Sequence, residues 1–404
     1  MPILVLVSAF LEGLSLTLLQ GYLPLYVRNT FHETTYMTVG AVIAIPAFGM
    51  FVASNFWGGL SDVSGRLKPF ILIGLTGYAL ALAGYPLLLS SLGIFVWAGF
   101  VSLFYGTLSP SLKTYVTLAK PDRREHTLAY LLMCQSIGWF TSSVGGSRLM
   151  EHGIGGGFRL ALGIGAGLLA ATTLLVALFL RDQRRTPVTR QSRKWLEGVT
   201  EDLKSLYENP KLLGLCVTVF FLVTGNYMTW GFFSVFFVEH LHASVHTLGL
   251  ALAASSMLGI LLMPAVGPMV RHFGGGTTLA IGTTLYLAMY LAMALTRNPI
   301  TAAAAFAMPL YGTINVSANV LASQYSRTAQ RGGGLGVLNG TYALSTIAGP
   351  LLGGWLADRS GLGIIPWSSL AFASVATVMA WRSVFGGEEA SEAEAAQGPG
   401  RNGD

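Results

Sequence analysis

Of the 18 Asp and Glu side chains, Glu12 is the one set deep within a long apolar run, between Ile3 and Tyr26. An ionisable group in such a run is costly to bury and is therefore a functional candidate by default. Burial disfavours the carboxylate, which brings proton uptake and release within reach of neutral pH. The chemistry on offer is a carboxyl that alternately holds a proton and a solute. The structural alternative is a neutral, hydrogen-bonded packing residue. Lys113 is the one basic side chain well inside an apolar run. It can act as counter-charge to Glu12 or to an anionic solute, or its stem can carry the ammonium out to a polar boundary. Helical rise separates the two groups by about 6 Å in depth, a gap that a lysine stem partly bridges. Pairing would favour the carboxylate and oppose protonation, so the two roles compete.

Polar side chains recur around this pair at helical spacing. Tyr105, Ser109 and Lys113 follow i, i+4, i+8, and Tyr311, Asn315 and Asn319 repeat the pattern 206 residues later. Asn226, Trp230 and Ser234 form a third stripe, and Gln20 shares a face with Glu12. Steps of four keep side chains on one side of a helix. Such a stripe can line a solute cavity or bond to neighbouring helices, as Asn and Ser commonly do. Gln135, Trp139 and Tyr342, in two further runs, complete the candidate set.

The elements that must position these groups are membrane helices. The chain of 404 residues is 52% hydrophobic and 10% charged, whereas soluble proteins carry about 25% charged residues. It cannot cover a water-facing surface with that composition. Its 50 glycines fit close helix packing in a bilayer. Twelve runs reach the roughly 20 apolar residues that a span requires: 3–26, 38–60, 70–89, 94–118, 127–149, 158–180, 212–237, 247–270, 277–295, 301–323, 334–356 and 364–385. The first is too long for a signal-peptide core and lacks a basic segment before it, so it reads as a retained span. An even number of spans puts both termini on one side.

Most of the 24 Lys and Arg fall on that side, in loops holding Arg66, Lys68, Lys120, Arg123, Arg124, Arg271, Arg327 and Arg331 and in the central linker. The opposite side has only Arg28, Arg148, Arg159, Arg297 and Arg359. The positive-inside rule then makes the termini cytoplasmic. The net charge of +6 reads as orientation, not as a nucleic-acid footprint. The linker 181–211 divides the chain into six-span units at 1–180 and 212–385. Within it, Trp195, Leu196, Val199, Leu203, Leu206 and Tyr207 share one face of an amphipathic helix suited to the inner leaflet. The tail 386–404 is acidic and poor in apolar residues, which predicts an unstructured segment.

The two units look like repeats. Tyr105-Gly106-Thr107 recurs as Tyr311-Gly312-Thr313, and Gly145-Gly146 with Gly153 recurs as Gly353-Gly354 with Gly361, 208 residues on. Between the second and third runs lies Gly58-Gly59-Leu60-Ser61-Asp62-Val63-Ser64-Gly65-Arg66-Leu67-Lys68. Gly58 and Gly65 would allow a sharp turn and close helix approach, and Asp62 can cap the next helix or pair with Arg66. The G-x-L-x-D-x-x-G-R spacing of Gly58, Leu60, Asp62, Gly65 and Arg66 resembles the loop between the second and third helices of the major facilitator superfamily of secondary transporters.

That resemblance covers almost the whole chain. It implies an all-α integral membrane fold of twelve helices in two six-helix pseudo-repeats, with a cavity at their interface lined by the first, fourth, seventh and tenth helices. The polar stripes fall on those four. It also implies a monomeric alternating-access transporter in a prokaryotic inner or plasma membrane, with Asp62 and Arg66 in a network that holds the inner gate. The expected activity is export of small amphipathic organic solutes, drugs or sugars, in exchange for protons carried by Glu12. The alternative is a proton symporter or facilitator taking up a small polar or anionic solute, with Lys113 as counter-charge.

Departures bear on the antiport expectation. Val63 stands where the family usually has a basic residue, and Arg271 replaces the aspartate in the second half. The G-P-x-x-G-G of proton-driven drug antiporters is absent from the fifth run and appears in the eleventh, at Gly349 to Gly354. The fourth-helix arginine of those antiporters falls at Ser102. His240, His242 and His246 with Glu239 could bind a metal or sense pH, although exposed loop histidines usually do neither. No cofactor or metal is expected. Cys134 and Cys216 lie in apolar runs and suggest no disulfide. No nucleotide-binding loop and no set of nucleophile, base and orienting group appears, so neither direct ATP-driven transport nor an enzyme is expected.

Overall fold

The computed structural model of the protein describes residues 3–31, 35–119, 124–183, 209–308, 310–326 and 331–396. Twelve crossings follow one another. They are α1 (Ile3–Thr30), α2 (Tyr36–Ser64), α3 (Lys68–Leu87), α4 (Ser91–Ala119), α5 (Arg124–Met150), α6 (Ile154–Phe179), α7 (Pro210–His240), α8 (245–273), α9 (275–295), α10 (Pro299–Tyr325), α11 (Arg331–Ser360) and α12 (Ile364–Ala396). Among the described residues, nine stretches are long and apolar enough to cross a bilayer. One of them, Val245–Leu295, is two helices joined at Gly274, whose φ of 81° is a left-handed value that favours glycine. The remaining two crossings are α5 and α11. They are more polar, and each packs on the other half, α5 on α8 and α11 on α2.

Local chemistry sets the helix ends. Side-chain caps start α2 (Thr35 accepting from the Thr38 amide), α4 (Ser90 from Gly93), α7 (Asn209 from Leu212), α8 (Ser244 from Thr247) and α10 (Asn298 from Ile300). Proline in the first turn follows at α3, α7 and α10, where a missing N–H does no harm. Gly65, at φ 62°, ends α2 in a left-handed cap.

The glycine-bearing motif is thus mostly helix and not loop, because α2 continues to Ser64. Gly58 has no atom near its missing side chain, so no helix approaches it here. Leu60 and Arg66 are exposed; the side chain of Asp62 lies outside the described set. The capping role that the sequence offers to Asp62 is filled at α3 by Asp182, whose Oδ1 accepts from the Leu67 and Lys68 amides at 3.2 and 3.0 Å. Lys68 donates to the Ala177 carbonyl at 2.8 Å, and Tyr115 donates to that of Arg181 at 3.0 Å. These bonds tie the start of the linker to the first half. Asp182→Ala is expected to destabilise this end by about 0.5–1 kcal/mol, read as a lower melting temperature of the purified protein. The amphipathic linker helix falls on residues outside the described set. At the other end, α12 stays helical past Gly386 to Ala396, where the sequence predicts an unstructured tail.

Both halves show the same packing. Gly74 lies against Leu108 as Gly282 lies against Thr313 and Ile314, and Gly138 against Phe10 and Leu14 as Gly349 against Thr224 and Met228. The halves meet along two symmetry-related seams, α2 with α11 and α5 with α8.

Candidate functional site

The far side, opposite the termini, is sealed by charge. Arg28 at the end of α1 pairs with Glu239 at the end of α7, Nε to Oε1 at 3.1 Å, and its guanidinium sits 4.4 Å from the Tyr36 ring centroid. The Tyr36 hydroxyl donates to the same carboxylate at 3.2 Å. Asp358 on α11 accepts from the Tyr36 and Met37 amides at 2.6 and 2.9 Å, capping α2 from the other half. On the second seam, His246 Nδ1 is 2.9 Å from Glu151 Oε1. Of the residues the sequence grouped as a histidine cluster, Glu239 and His246 thus turn to different partners, each in the other half.

Glycines let the seams close beneath this clasp. The α-carbon of Gly40 sits against the Pro350 carbonyl, that of Gly354 against Tyr36 and Met37, and that of Gly249 against Ser147 and Ser143. Further in, the picture changes. Leu248 and residues 251–253 of α8 are buried, whereas Met257, Leu258, Leu261, Leu262 and Met263 are exposed. On α2, Phe48, Phe51, Val52 and Phe56 are likewise exposed. The close approach of the halves is on the far side, since Gly58 and Gly267, nearer the termini on the same two helices, have no atom within 4 Å of where a side chain would begin.

An aromatic floor lies between. Trp139 on α5 faces Trp230 on α7 at 5.8 Å between ring centroids, and Trp230 stacks on Phe306 of α10 at 5.5 Å. Gln20 lines a small cavity with Tyr85, Tyr105 and Pro46. It sits in a π-helical segment, Thr17–Tyr22, and a second such segment, Phe236–His240, ends α7. Nothing in the residue spacing marks these wider turns.

Glu12 is 3% exposed, inside the first half. Ser109 and Lys113, both on α4, are its polar neighbours. Lys113 itself is exposed, and among the described residues no ion pair within 4.0 Å joins the two. Gly13, the next residue, packs against the backbone of Gln135 and the ring of Trp139. Of the residues singled out in the sequence, the structure thus gathers Glu12, Ser109, Lys113, Gln135 and Trp139 in one region. Sequence reasoning missed Tyr78 on α3, which stacks on Tyr105 at 4.6 Å between ring centroids.

The second half holds the counterpart. Tyr311 accepts from the Asn315 amide at 3.1 Å, and Asn319 donates to the Asn315 carbonyl at 2.7 Å. Tyr286, also missed, stacks on Tyr290 at 5.8 Å between ring centroids. Ser234 is buried in the packing of α7. Matching glycine contacts set the correspondence between the halves: the step of 214 from Phe10 to Thr224, and from Leu14 to Met228, carries Glu12 to Asn226. On α4 and α10 the step of 206 from Leu108 to Ile314 carries Ser109 to Asn315 and Lys113 to Asn319. Each charge of the first half has an amide in its place in the second.

A family model described as Major Facilitator Superfamily matches residues 5–236 and 215–402. Multidrug resistance protein MdtG of Serratia proteamaculans is 27% identical over 317 residues, covering 72% of this chain and 71% of the relative. The MdtG of Salmonella arizonae is 22% identical over 397 residues, covering 93% of each. Among solved structures, nucleoside transporter NupG superposes with a TM-score of 0.76 at 16% identity, over 94% of this chain and 97% of that one.

Proposed function

The chain belongs to the major facilitator superfamily, and from that membership we propose that it exports small amphipathic organic solutes in exchange for protons by alternating access. As a multi-pass integral membrane protein it has no surface on which to do this except the cleft between its halves. The observation that carries the reading is Glu12, the one buried carboxyl among the described residues, beside a cleft whose other half presents hydroxyls, amides and rings. A proton can be held on one side of the cleft while an uncharged or cationic solute is gripped on the other. Relatives named for multidrug resistance support the same solute class.

The basic loops support a cytoplasmic location for the termini, which makes the open side the cytoplasmic one. Solute would enter there and displace the proton from Glu12. The halves would then rock about the seams, break the Arg28–Glu239 clasp and release the solute outside, where Glu12 is protonated again. Each carrier state needs Glu12 to be either protonated or solute-bound, and that requirement is the coupling. The missing fifth-helix Gly-Pro and the serine at 102 leave antiport resting on Glu12 alone.

Internal pH in proteoliposomes tests the proposal. With an outward proton gradient, adding lipophilic cations, sugars, amino acids or organic anions outside is expected to provoke proton efflux for the amphipathic set. Proton influx with the solute would instead make the protein a symporter, and uptake without proton movement a facilitator.

A further inference from the structure

The two seams end on the far side in the same kind of contact, a carboxylate set against the start of a helix in the other half. On the first seam Asp358 of α11 accepts from the amides of Tyr36 and Met37, the first two residues of α2. On the second seam Glu151, at the end of α5, meets His246, the second residue of α8. The step of 208 between the repeats carries Asp358 back to Met150, next to Glu151. The partners differ in one respect. A backbone amide donates at any pH, whereas an imidazole carries charge only when protonated, and histidine is the side chain that changes charge between about pH 5 and about pH 8.

His246 Nδ1 lies 2.9 Å from Glu151 Oε1, yet no hydrogen bond of acceptable direction joins them, and the nitrogen is hidden from solvent. Charge holds this contact, and a directed N–H bond does not. A neutral ring would bring no charge there and would leave the hidden nitrogen without a partner. The two side chains are otherwise 37% and 40% exposed, which puts the ring within reach of protons from the far-side water. We propose that the His246–Glu151 contact is a proton-operated latch, holding α5 to α8 when the imidazole is protonated and loosening the second seam when the proton leaves. Acid on the far side keeps that side shut, and rising pH lets it open more readily. The other charged and titratable groups nearby are Arg148 and His152 on α5, Arg159 on α6, His240 and His242 ahead of α8, and Arg28 and Glu239 at the ends of α1 and α7. Arg28 and Glu239 pair with each other, Arg159 donates to Tyr26 at 3.2 Å and His240 stacks on Phe236 at 5.1 Å. Arg148, His152 and His242 are exposed. Among the described residues, neither His246 nor Glu151 has a second ion partner within 4.0 Å.

The latch does not depend on Glu12 as proton carrier, and Glu12→Gln is the background for its test, so that Glu12 contributes nothing to the readout. Spin labels at the far ends of α5 and α8 report the distance across the second seam in purified protein that elutes as a single species. From about pH 5.5 to about pH 8.5 the short-distance population is expected to fall against the long one by about threefold, the scale of a half-exposed ion pair. His246→Gln and Glu151→Gln, each added to that background, are expected to remove the dependence and to fix the ratio near its value at the upper pH. The same pH dependence in either variant as in the parent would overturn the latch, and so would a parent ratio that does not move with pH.

Discussion

Replacing Glu12 with glutamine is expected to reduce solute-provoked proton movement to the rate of empty vesicles while the protein still folds and binds solute. The carboxamide has nearly the shape of a carboxylic acid, so the packing around a 3% exposed side chain is preserved. What disappears is the one buried carboxyl among the described residues. Lys113 cannot take its place, since that side chain is exposed and is not seated where the carboxyl is. The second half cannot either, because Asn226 stands in the corresponding place.

The rest of the cycle does not require the carboxyl. Tyr311, Asn315 and the Trp139–Trp230–Phe306 stack remain in the cleft, so exchange of labelled solute across the membrane without a proton gradient is expected to continue. Loss of proton movement with exchange retained is the signature of coupling removed from transport. Wild-type proton flux in Glu12→Gln would show that another group carries the proton. Loss of exchange as well, with normal solute binding, would mean that Glu12 is needed for rocking itself.

Much of this architecture is legible in the sequence because a bilayer imposes so coarse a rule. Twelve apolar runs give twelve helices, and Tyr105-Gly106-Thr107 with Tyr311-Gly312-Thr313 marks the repeat that the glycine contacts bear out. Glu12 is conspicuous for the same reason, as a carboxyl where apolar residues prevail. Tyr78 and Tyr286 were not conspicuous. A tyrosine in an apolar run looks like packing, and only a partner 27 residues away, Tyr105 for Tyr78, shows that it lies against the polar stripe of α4. Asp182 was hidden in a basic linker, where its reach to the α3 amides depends on how α6 ends. The Arg28–Glu239 clasp joins residues 211 positions apart; read singly, Arg28 is a loop charge that counts towards orientation and Glu239 a neighbour of histidines. Sequence spacing reports faces of one helix, and these features each belong to two.

The seams carry the second large effect. Leucine at Gly40 is expected to abolish transport by preventing the far side from closing. A side chain there would run into the carbonyl of Pro350, with the carbonyl carbon at 3.0 Å and the Leu351 amide nitrogen at 3.5 Å from its first atom. These are backbone atoms in the middle of α11 and have no rotamer in which to move aside. The helices must separate instead, and forced overpacking costs about 1–3 kcal/mol or more. At the upper figure the closed population falls about 100-fold, and the cycle with it. Gly40→Ala adds one carbon and should show a graded loss. Gly145→Leu is the control, because no atom lies within 4 Å of where its side chain would begin. Spin labels at the far ends of α2 and α11 should report a longer distance in Gly40→Leu than in wild type, in protein that elutes as a single species. Normal transport with an unchanged distance would mean that closure does not run through this seam. A longer distance with normal transport would mean that the far side need not close so tightly for the halves to exchange access.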